Sequence, residues 1–235
     1  SSAERILSPM AAPLRPDAAR MTFAEFLAWD AHQPLRHEFV DGVPRAMSGG
    51  TERHDLLVQS VFDALRPGAR AAGCRAYTHN RQIRTPNGRM YYPDVVVACG
   101  PFGMDDLHAR TPRVVVEVTS PSTRDADYGR KLRDYQTVPS LQAYVVVEQA
   151  MQRLECYERA ADGSWSHTEV SAATGLDQYV VPCGGGVLRL ADVYADTDVP
   201  GPPPGLLTAP ADAPDAAANG APEPAPPPAD VTPPA

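Results

Sequence analysis

Two short stretches of the sequence are almost pure valine, and each carries one carboxylate. The first runs over residues 112–119 as Pro-Arg-Val-Val-Val-Glu-Val-Thr, which is typical of a strand covered on both faces. Glu117 interrupts this run, and Asp94 opens the second run, residues 93–97. A carboxylate inside a covered strand is costly unless a cation lies against it. The pattern therefore predicts a metal ion or a lysine beside Glu117.

A predicted helix follows the first valine-rich strand and carries a lysine on its apolar face. Tyr128, Leu132 and Tyr135 share the helical spacing of Lys131, which places all four side chains on one side of the helix. Asp127 lies one turn before Lys131, where its carboxylate could hold the ammonium in place. We therefore expect Lys131 on the packed side of this helix and not on its solvated side.

The rest of the chain reads as short strands and two helices that begin at capping residues. Thr22 and Glu25 have the spacing of a capping box, and Thr51 can cap a second helix. His54 begins the apolar stripe of that second helix, either as a core residue or as a site contact, and Pro67-Gly68 is expected to end the helix. The other elements predicted before the lysine-bearing helix are a hairpin over residues 36–48 around an Asp-Gly turn, a strand pair over 74–85 around residues 78–80, and a core strand over 91–98. The hydroxyl residues from Ser120 to Thr123 are expected to stop the strand before that helix and can cap the helix. The elements predicted after it are a third core strand over 141–148, an antiparallel pair over 154–158 and 165–170 around a second Asp-Gly turn, a short strand over 187–190 and a turn over 191–194.

Both ends of the chain differ in composition from its middle. Residues 1–19 are aperiodic and rich in Ala, Pro, Ser and Arg, and residues 197–235 are rich in Pro and Ala with few large apolar side chains. Such segments bury too little surface to offset the entropy of ordering, so we predict a disordered leader and a disordered tail. The folded domain is predicted over residues 20–196.

Charge and cysteine usage restrict the function classes only weakly. The net charge of −8 argues mildly against a generic polyanion binder, but residues 20–196 hold 22 acids and 19 bases, which neither supports nor forbids nucleic acid as a partner. The cysteines contain no Cys-x-x-Cys pair, so we expect neither a zinc site nor a disulfide but reduced, buried thiols in a cytoplasmic protein. These cysteines are Cys74, Cys99, Cys156 and Cys183. No run of 18 apolar residues indicates a membrane span, and no signal-peptide pattern is present.

The two strand carboxylates and the lysine suggest phosphodiester chemistry. Mg²⁺ takes carboxylate oxygens and keeps several waters, so Asp94, Glu117 and the backbone carbonyl of Val118 are candidate ligands. Lys131 could orient or deprotonate the attacking water or steady the phosphate, and Glu38 could bind the metal directly or through water. Each acid also has a structural alternative, since Asp94 could merely begin a strand and Glu117 could pair with an arginine. A glycosidase using Glu117 and a second carboxylate would leave Lys131 unexplained.

A set of short motifs extends over roughly residues 20–195. Its segments are His37 to Gly42, Met47 to Thr51 followed by His54, Tyr92 to Val97, Glu117 to Thr123, Asp127, Lys131, Tyr135 and Tyr144 to Glu148. Together these motifs resemble the Uma-two family of bacterial restriction-endonuclease-like proteins, within the PD-(D/E)XK nuclease superfamily.

The resemblance implies an α/β (α+β) fold with a central mixed sheet flanked by helices, and a nuclease site that uses Mg²⁺ or Mn²⁺ on DNA. It makes Asp94 and Glu117 the metal-binding acids and Glu38 the accessory acid. The superfamily's lysine normally stands two residues after the second acid, where this chain has Thr119. The family is read as having moved this lysine to the next helix, which would be Lys131.

Two functions from different classes are compatible with this reading. The first is a Mg²⁺-dependent endonuclease that hydrolyses DNA. The second is a catalytically weak or inactive nuclease-fold module that binds nucleic acid or a protein partner. His54, Asp127 and Ser120 are the accessory site candidates. The oligomeric state is open, and a homodimer, which would address both DNA strands, is one alternative.

Overall fold

The computed structural model describes residues 20–47, 49–120 and 123–201. The predictions for the leader and for residues 202–235 lie outside the described residues. The helices are α1 (Phe23–Asp30), α2 (Glu52–Ala71), α3 (Leu132–Gln136), which continues a π-helical segment (Ala126–Lys131), and α4 (Leu190–Val193). The strands are β1 (His37–Val40), β2 (Val43–Ala46), β3 (Cys74–Thr78), β4 (Ile83–Arg84), β5 (Met90–Tyr91), β6 (Val95–Cys99), β7 (Pro112–Val118), β8 (Ala143–Val147), β9 (Arg153–Arg159), β10 (Trp165–Ser171), β11 (Gln178–Val181) and β12 (Gly186–Arg189).

A six-stranded mixed sheet forms the centre of the fold, in the order β10-β9-β8-β7-β6-β3. Strands β7 and β8 are parallel, and the other neighbours are antiparallel. Every side chain of β8 and nearly every side chain of β7 is buried, as the valine-rich pattern predicts. The pairing of Val95 with Val116 brings the start of β6 beside the end of β7, where Asp94 and Glu117 lie.

Helices cover both faces of this sheet, which confirms the predicted architecture. The apolar stripe of α2 and the β11–β12 hairpin pack on one face, with Leu57, Val61 and Leu65 fully buried. On the other face lies what we call the site helix, residues 126–136, which contributes the buried Tyr135. Each of these large apolar side chains contributes about 1.5–3 kcal/mol by leaving water.

A four-stranded sheet, β2-β1-β5-β4, lies against α1. The predicted capping box is present, since Thr22 accepts from the Glu25 backbone N–H and the Glu25 carboxylate accepts from the Thr22 backbone N–H. The predicted turn is confirmed as well, because Asp41 and Gly42 both have positive φ, at 54° and 82°. Strand β1 of this sheet carries Glu38, one of the predicted site residues.

The prediction that Pro67-Gly68 ends the second helix is wrong, because α2 continues to Ala71. Tertiary packing stabilises the last turn despite the proline. Gly68 lies so close to the β11–β12 hairpin that a Cβ at this position would stand 2.3 Å from the backbone oxygen of Gly184. The glycine at this position allows the close approach, and the signal that normally stops a helix is overridden here.

Two of the strand predictions are also corrected. Residues 74–85 do form two strands, but β3 pairs with β6 in the large sheet and β4 pairs with β5 in the smaller one. His79, with a φ of 46°, lies in the connection between them. The core strand predicted over residues 91–98 is divided into β5 and β6, and Asp94 lies in the break.

The expectation of four reduced, buried thiols is wrong for three cysteines. Cys74 and Cys99 form a disulfide between directly paired positions of β3 and β6, with their Cα atoms 4.2 Å apart. Cys183 is exposed, and Cys156 is buried and free. The spacing of Cys74 and Cys99 along the chain cannot reveal that they face each other across two strands. The cytoplasmic location stays a prediction.

The folded region extends past the predicted boundary at residue 196. Val199 is 5% exposed and packs in the main core, and its carbonyl accepts from the Gln152 side chain. Asp198 forms a bidentate ion pair with Arg53 of α2. The domain therefore continues at least to Gly201, where the described residues end. No helix among the described residues is long and apolar enough to cross a membrane.

Candidate active site

Asp94 lies in the break between β5 and β6 and is held from three sides. Its Oδ2 atom accepts from the Val118 backbone N–H at 2.7 Å and lies 3.3 Å from His54 Nε2. Its Oδ1 atom lies 3.5 Å from His79 Nδ1. Burial disfavours the charged form of Asp94, but His54, His79 and the Val118 N–H outweigh this and hold its pKa well below the ordinary value. Asp94 is therefore a fixed carboxylate immediately before strand β6.

His54 contacts Asp94, as its predicted role as a site contact requires, and that role stays a prediction. Burial lowers the pKa of His54, but the carboxylates of Asp94 and Asp55, which lie 3.3 and 3.5 Å from the ring nitrogens, outweigh burial and raise this pKa above the ordinary value. His79 is an additional contact that sequence reasoning missed. Its position beside Asp94 follows from the pairing of β3 with β6, which places Thr78 opposite Val95.

Glu117 is buried in β7, at 3% exposure, and receives two hydrogen bonds on one oxygen. Lys131 Nζ donates to its Oε1 at 3.0 Å, and the Tyr135 hydroxyl donates to the same atom at 2.9 Å. Burial is the largest influence on this carboxyl group, and together with nearby Asp94, Asp127 and Glu38 it raises the pKa of Glu117 well above its ordinary value, against the effect of Lys131. The predicted contact between Glu117 and a lysine is present.

Lys131 is enclosed by carboxylates from three different elements. Its Nζ atom lies 3.0 Å from Glu117, 3.4 Å from Glu38 and 3.3 Å from Asp127. The Asp127 contact is an ion pair without good hydrogen-bond alignment. Burial lowers the pKa of Lys131, but the surrounding carboxylates outweigh burial and raise it well above the ordinary value. The whole residue is 6% exposed, and its amine is charged.

Lys131 is also the single lysine of the whole sequence, whose other 20 Lys and Arg residues are all arginine. All the other basic positions of the sequence are arginine, and the one lysine places its compact ammonium within an acidic cluster. Arginine and lysine are not interchangeable in such a place, since the guanidinium is larger and planar. This count is a sequence signal for the site that motif spacing alone did not reveal.

The site helix begins with its π-helical segment, which contains both Asp127 and Lys131. Segments of this kind are rare in proteins, and those that occur often lie at functional sites. Burial raises the pKa of Asp127, although Lys131 and Thr123 act in the opposite direction. Ser120 and Thr123 exchange backbone and side-chain hydrogen bonds at 3.0 and 3.2 Å, which confirms the predicted cap before this helix.

A second buried acid, Glu148, lies at the end of β8 beside this cluster. Thr119, at the superfamily's lysine position, donates to Glu148 Oε2 at 3.2 Å. Arg124 and Arg153 also donate to the Glu148 carboxylate at 3.2 Å, and the Tyr128 hydroxyl completes its contacts. Thr119 therefore belongs to the Glu148 cluster, and in this chain the amine comes from the helix.

The structure thus brings together most of the predicted site residues. They form two neighbouring groups. In one, Lys131 contacts Glu38, Glu117 and Asp127, and in the other His54 contacts Asp94. Val118 joins them through its N–H, which binds Asp94. Ser120 belongs to the cap of the lysine-bearing segment, and a role for it in the site stays a prediction.

The donor chemistry of this cluster fits a hard divalent cation. Glu38, Glu117 and Asp127 contact one ammonium, and the charge of Asp94 also acts on it, so carboxylates outnumber the cation. Carboxylate oxygens are the ligands that Mg²⁺ prefers. Among the described residues, no three His, Cys, Asp or Glu side chains already converge as a metal-binding group. Mg²⁺ is commonly bound through one or two carboxylates and retains several waters, which two acids and a carbonyl can satisfy.

A mixed sheet flanked by helices, with two acids at adjacent strand ends and a buried lysine, defines a nuclease-like fold. The chain belongs to the Uma2 family, described as "Putative restriction endonuclease", whose family model matches residues 23–182. This confirms the family resemblance deduced from the motifs.

A solved structure supports the fold assignment. It is the crystal structure of "a putative nuclease belonging to DUF820" from Anabaena variabilis, with a TM-score of 0.60 and 14% sequence identity, covering 74% of this chain and 98% of that chain. Two relatives from Synechocystis sp. are uncharacterized proteins. One, slr1290, is 32% identical over 65% of this chain and 82% of its own length, and the other, sll1609, is 29% identical over 64% and 87%.

Proposed function

We propose that this protein is a Mg²⁺-dependent or Mn²⁺-dependent endonuclease that hydrolyses phosphodiester bonds of DNA. The observation that carries the proposal is the 3.0 Å contact between Lys131 Nζ and Glu117 Oε1, at a strand end adjacent to Asp94. Membership of a family described as "Putative restriction endonuclease" supports the reaction class.

Each residue of the cluster has a role in this proposal. Asp94, Glu117 and the Val118 carbonyl would hold the metal, which supplies phosphate polarisation and an activated water when it is bound. Because its neighbours raise the pKa of Lys131, we assign this residue the role of a charged donor that orients the water or steadies the phosphate, rather than that of a base. Glu38 is the accessory acid and fixes the amine from β1.

The two histidines and Asp127 orient these groups and do not contact the substrate in this proposal. His54 and His79 approach opposite oxygens of Asp94 and fix its orientation. Hydrogen-bonded partners of this kind orient metal-binding carboxylates in many proteins. Asp127 places the amine from within the same helix.

One observation favours the alternative of a weak or inactive nuclease-fold module. Lys131 is surrounded by three carboxylates, and the position of the usual lysine is taken by Thr119, which binds Glu148. In that case the protein would bind nucleic acid or a protein partner without cutting. The two functions differ in whether DNA is hydrolysed once metal is present.

A nuclease assay separates the two functions. Supercoiled plasmid, linear duplex, single-stranded DNA and RNA are incubated with the protein and Mg²⁺, Mn²⁺ or EDTA. We expect cleavage of at least one DNA form with either metal and none with EDTA. Binding without cleavage under every condition would support the inactive module, and equal cleavage with EDTA would contradict a metal-dependent mechanism.

A further inference from the structure

The candidate active site presents an electrostatic difficulty for a polyanionic substrate. Three carboxylates contact the amine of Lys131 and the charge of Asp94 lies nearby, while the lysine side chain is only 8% exposed. Even with one divalent cation bound, an enclosed amine cannot serve as the main contact for a DNA backbone. Cations that attract the phosphates must therefore stand at the rim of the site.

Arg124 is one such cation, and buried residues hold it in place. Its side chain is 47% exposed, while that of its partner Glu148 is 2% exposed. The guanidinium donates to Glu148 at 3.2 Å and lies over the Tyr128 ring, 5.4 Å from its centroid. Glu148 also accepts from Arg153, so its charge has a second partner and does not depend on Arg124 alone.

The position of Arg124 links it to the active site. Strands β7 and β8 are parallel, and Glu117 pairs with Val146, so Glu148 projects from the same face of the sheet as Glu117. The site helix covers both acids, with Tyr128 on Glu148 and Lys131 on Glu117. Arg124 precedes Tyr128 by one helical turn and therefore stands at the edge of this face.

Arg36 occupies a comparable position on the side of Asp94. It is exposed, and its guanidinium donates to the His79 carbonyl at 3.1 Å and to the Asn80 side chain. The His79 ring in turn lies 3.5 Å from Asp94. The guanidinium also lies 5.7 Å from the centroid of the Tyr92 ring, which restricts its movement.

We propose that Arg124 and Arg36 bind DNA backbone phosphates on either side of the cleaved bond. This inference rests on the proposed function and adds the residues that hold the substrate. Each arginine is exposed and fixed by protein contacts. Arg36 is linked to Asp94 through His79, and Arg124 binds Glu148, which projects from the same face of the sheet as Glu117. The DNA backbone then crosses the ends of β6, β7 and β8.

The test is the salt dependence of DNA binding, measured by fluorescence anisotropy with a short labelled duplex. Ca²⁺ replaces Mg²⁺ so that the duplex is bound without being cut, and affinities are measured across a series of NaCl concentrations. The logarithm of affinity falls with the logarithm of salt concentration by about 0.9 for each phosphate contact. We expect Arg124→Gln and Arg36→Gln each to reduce this slope by about 0.9, and the double variant by about twice as much.

Two further variants serve as controls. Arg124→Lys keeps the charge and should restore most of the slope that Arg124→Gln loses. Arg189→Gln removes an exposed arginine at the end of β12, which pairs with Asp192 of α4. The β11–β12 hairpin lies across the sheet from the site helix, so this variant should keep the wild-type slope. Thermal melting of each variant reports any purely structural role of the arginine.

The outcomes separate this inference from the proposed function. If the wild type binds the duplex and the two Gln variants keep its slope, the rim assignment is overturned while the nuclease proposal stands. A lower melting temperature with an unchanged slope would make Arg124 a structural partner of Glu148 and overturn its assignment. If the wild type binds no nucleic acid, both proposals fail.

Discussion

In the Asp94→Asn variant, DNA cleavage is expected to fall by a factor of about 10³ or more, since several kcal/mol of metal-derived stabilisation of the transition state is lost. The gain in melting temperature on addition of Mg²⁺ or Mn²⁺ should also disappear. A metal that binds only the folded state adds about 2.7 kcal/mol of stability when its free concentration is a hundred times its dissociation constant. Nuclease assays and thermal melting with and without metal measure the two effects.

The stability of Asp94→Asn without metal must be recorded separately. Because the pKa of Asp94 is lowered in the folded protein, its ionised form stabilises the fold at neutral pH, and the Asn variant should melt lower even in EDTA. The informative quantity is therefore the increment that metal adds. Asp192→Asn, which changes an exposed carboxylate on α4, is the matched control and should retain the full increment. A metal increment that survives in Asp94→Asn would remove this residue from the metal site.

The Lys131→Met variant is expected to lose cleavage by a factor of about 10² to 10³, the usual effect of removing one charged donor from an active site. It should also lose about 3–5 kcal/mol of stability, because Glu117, Glu38 and Asp127 would face one another without their cation. Methionine keeps the volume of the lysine stem, so the change isolates the charge. Denaturant unfolding and single-turnover cleavage measure the two losses.

Arg133→Met is the control for this variant, since it removes a cation from the exposed side of the same helix. Its stability should change by less than about 0.5 kcal/mol, and its cleavage rate should be unaffected. If Lys131→Met is destabilised but cuts at the wild-type rate while folded, the lysine has only a structural role. Full stability together with full activity would exclude both roles.

Much of the central architecture could be predicted from local sequence patterns. The valine runs predicted the covered strands β6 and β7, and the helical spacing around Lys131 predicted that its side chain faces inward. The cost of burying Glu117 predicted a cation beside it, and the amine of Lys131 lies 3.0 Å away. These inferences succeeded because each depends on residues close together in the sequence.

The features that could not be predicted depend on contacts between distant segments. The helix continues past Pro67 because Gly68 packs on a hairpin more than a hundred residues later in the chain. Cys74 and Cys99 face each other, and His79 reaches Asp94, only because β3 pairs with β6. Local propensity does not encode these pairings. The sequence therefore predicted that the helix stops at Pro67-Gly68 and that Cys74 and Cys99 are free thiols, and it gave no indication of a role for His79.

The central claim is that Asp94, Glu117 and Lys131 meet at one metal ion. Since Lys131 is the only lysine of the sequence, protein labelled with ¹³C in lysine should give a single side-chain Cε signal. Mn²⁺ is paramagnetic and broadens the signals of nuclei close to it. We predict that Mn²⁺ abolishes the Cε signal in the wild type and leaves it sharp in Asp94→Asn at the same metal concentration. A signal that stays sharp in the wild type under saturating Mn²⁺, or that broadens equally in both proteins, would contradict a metal site at these residues.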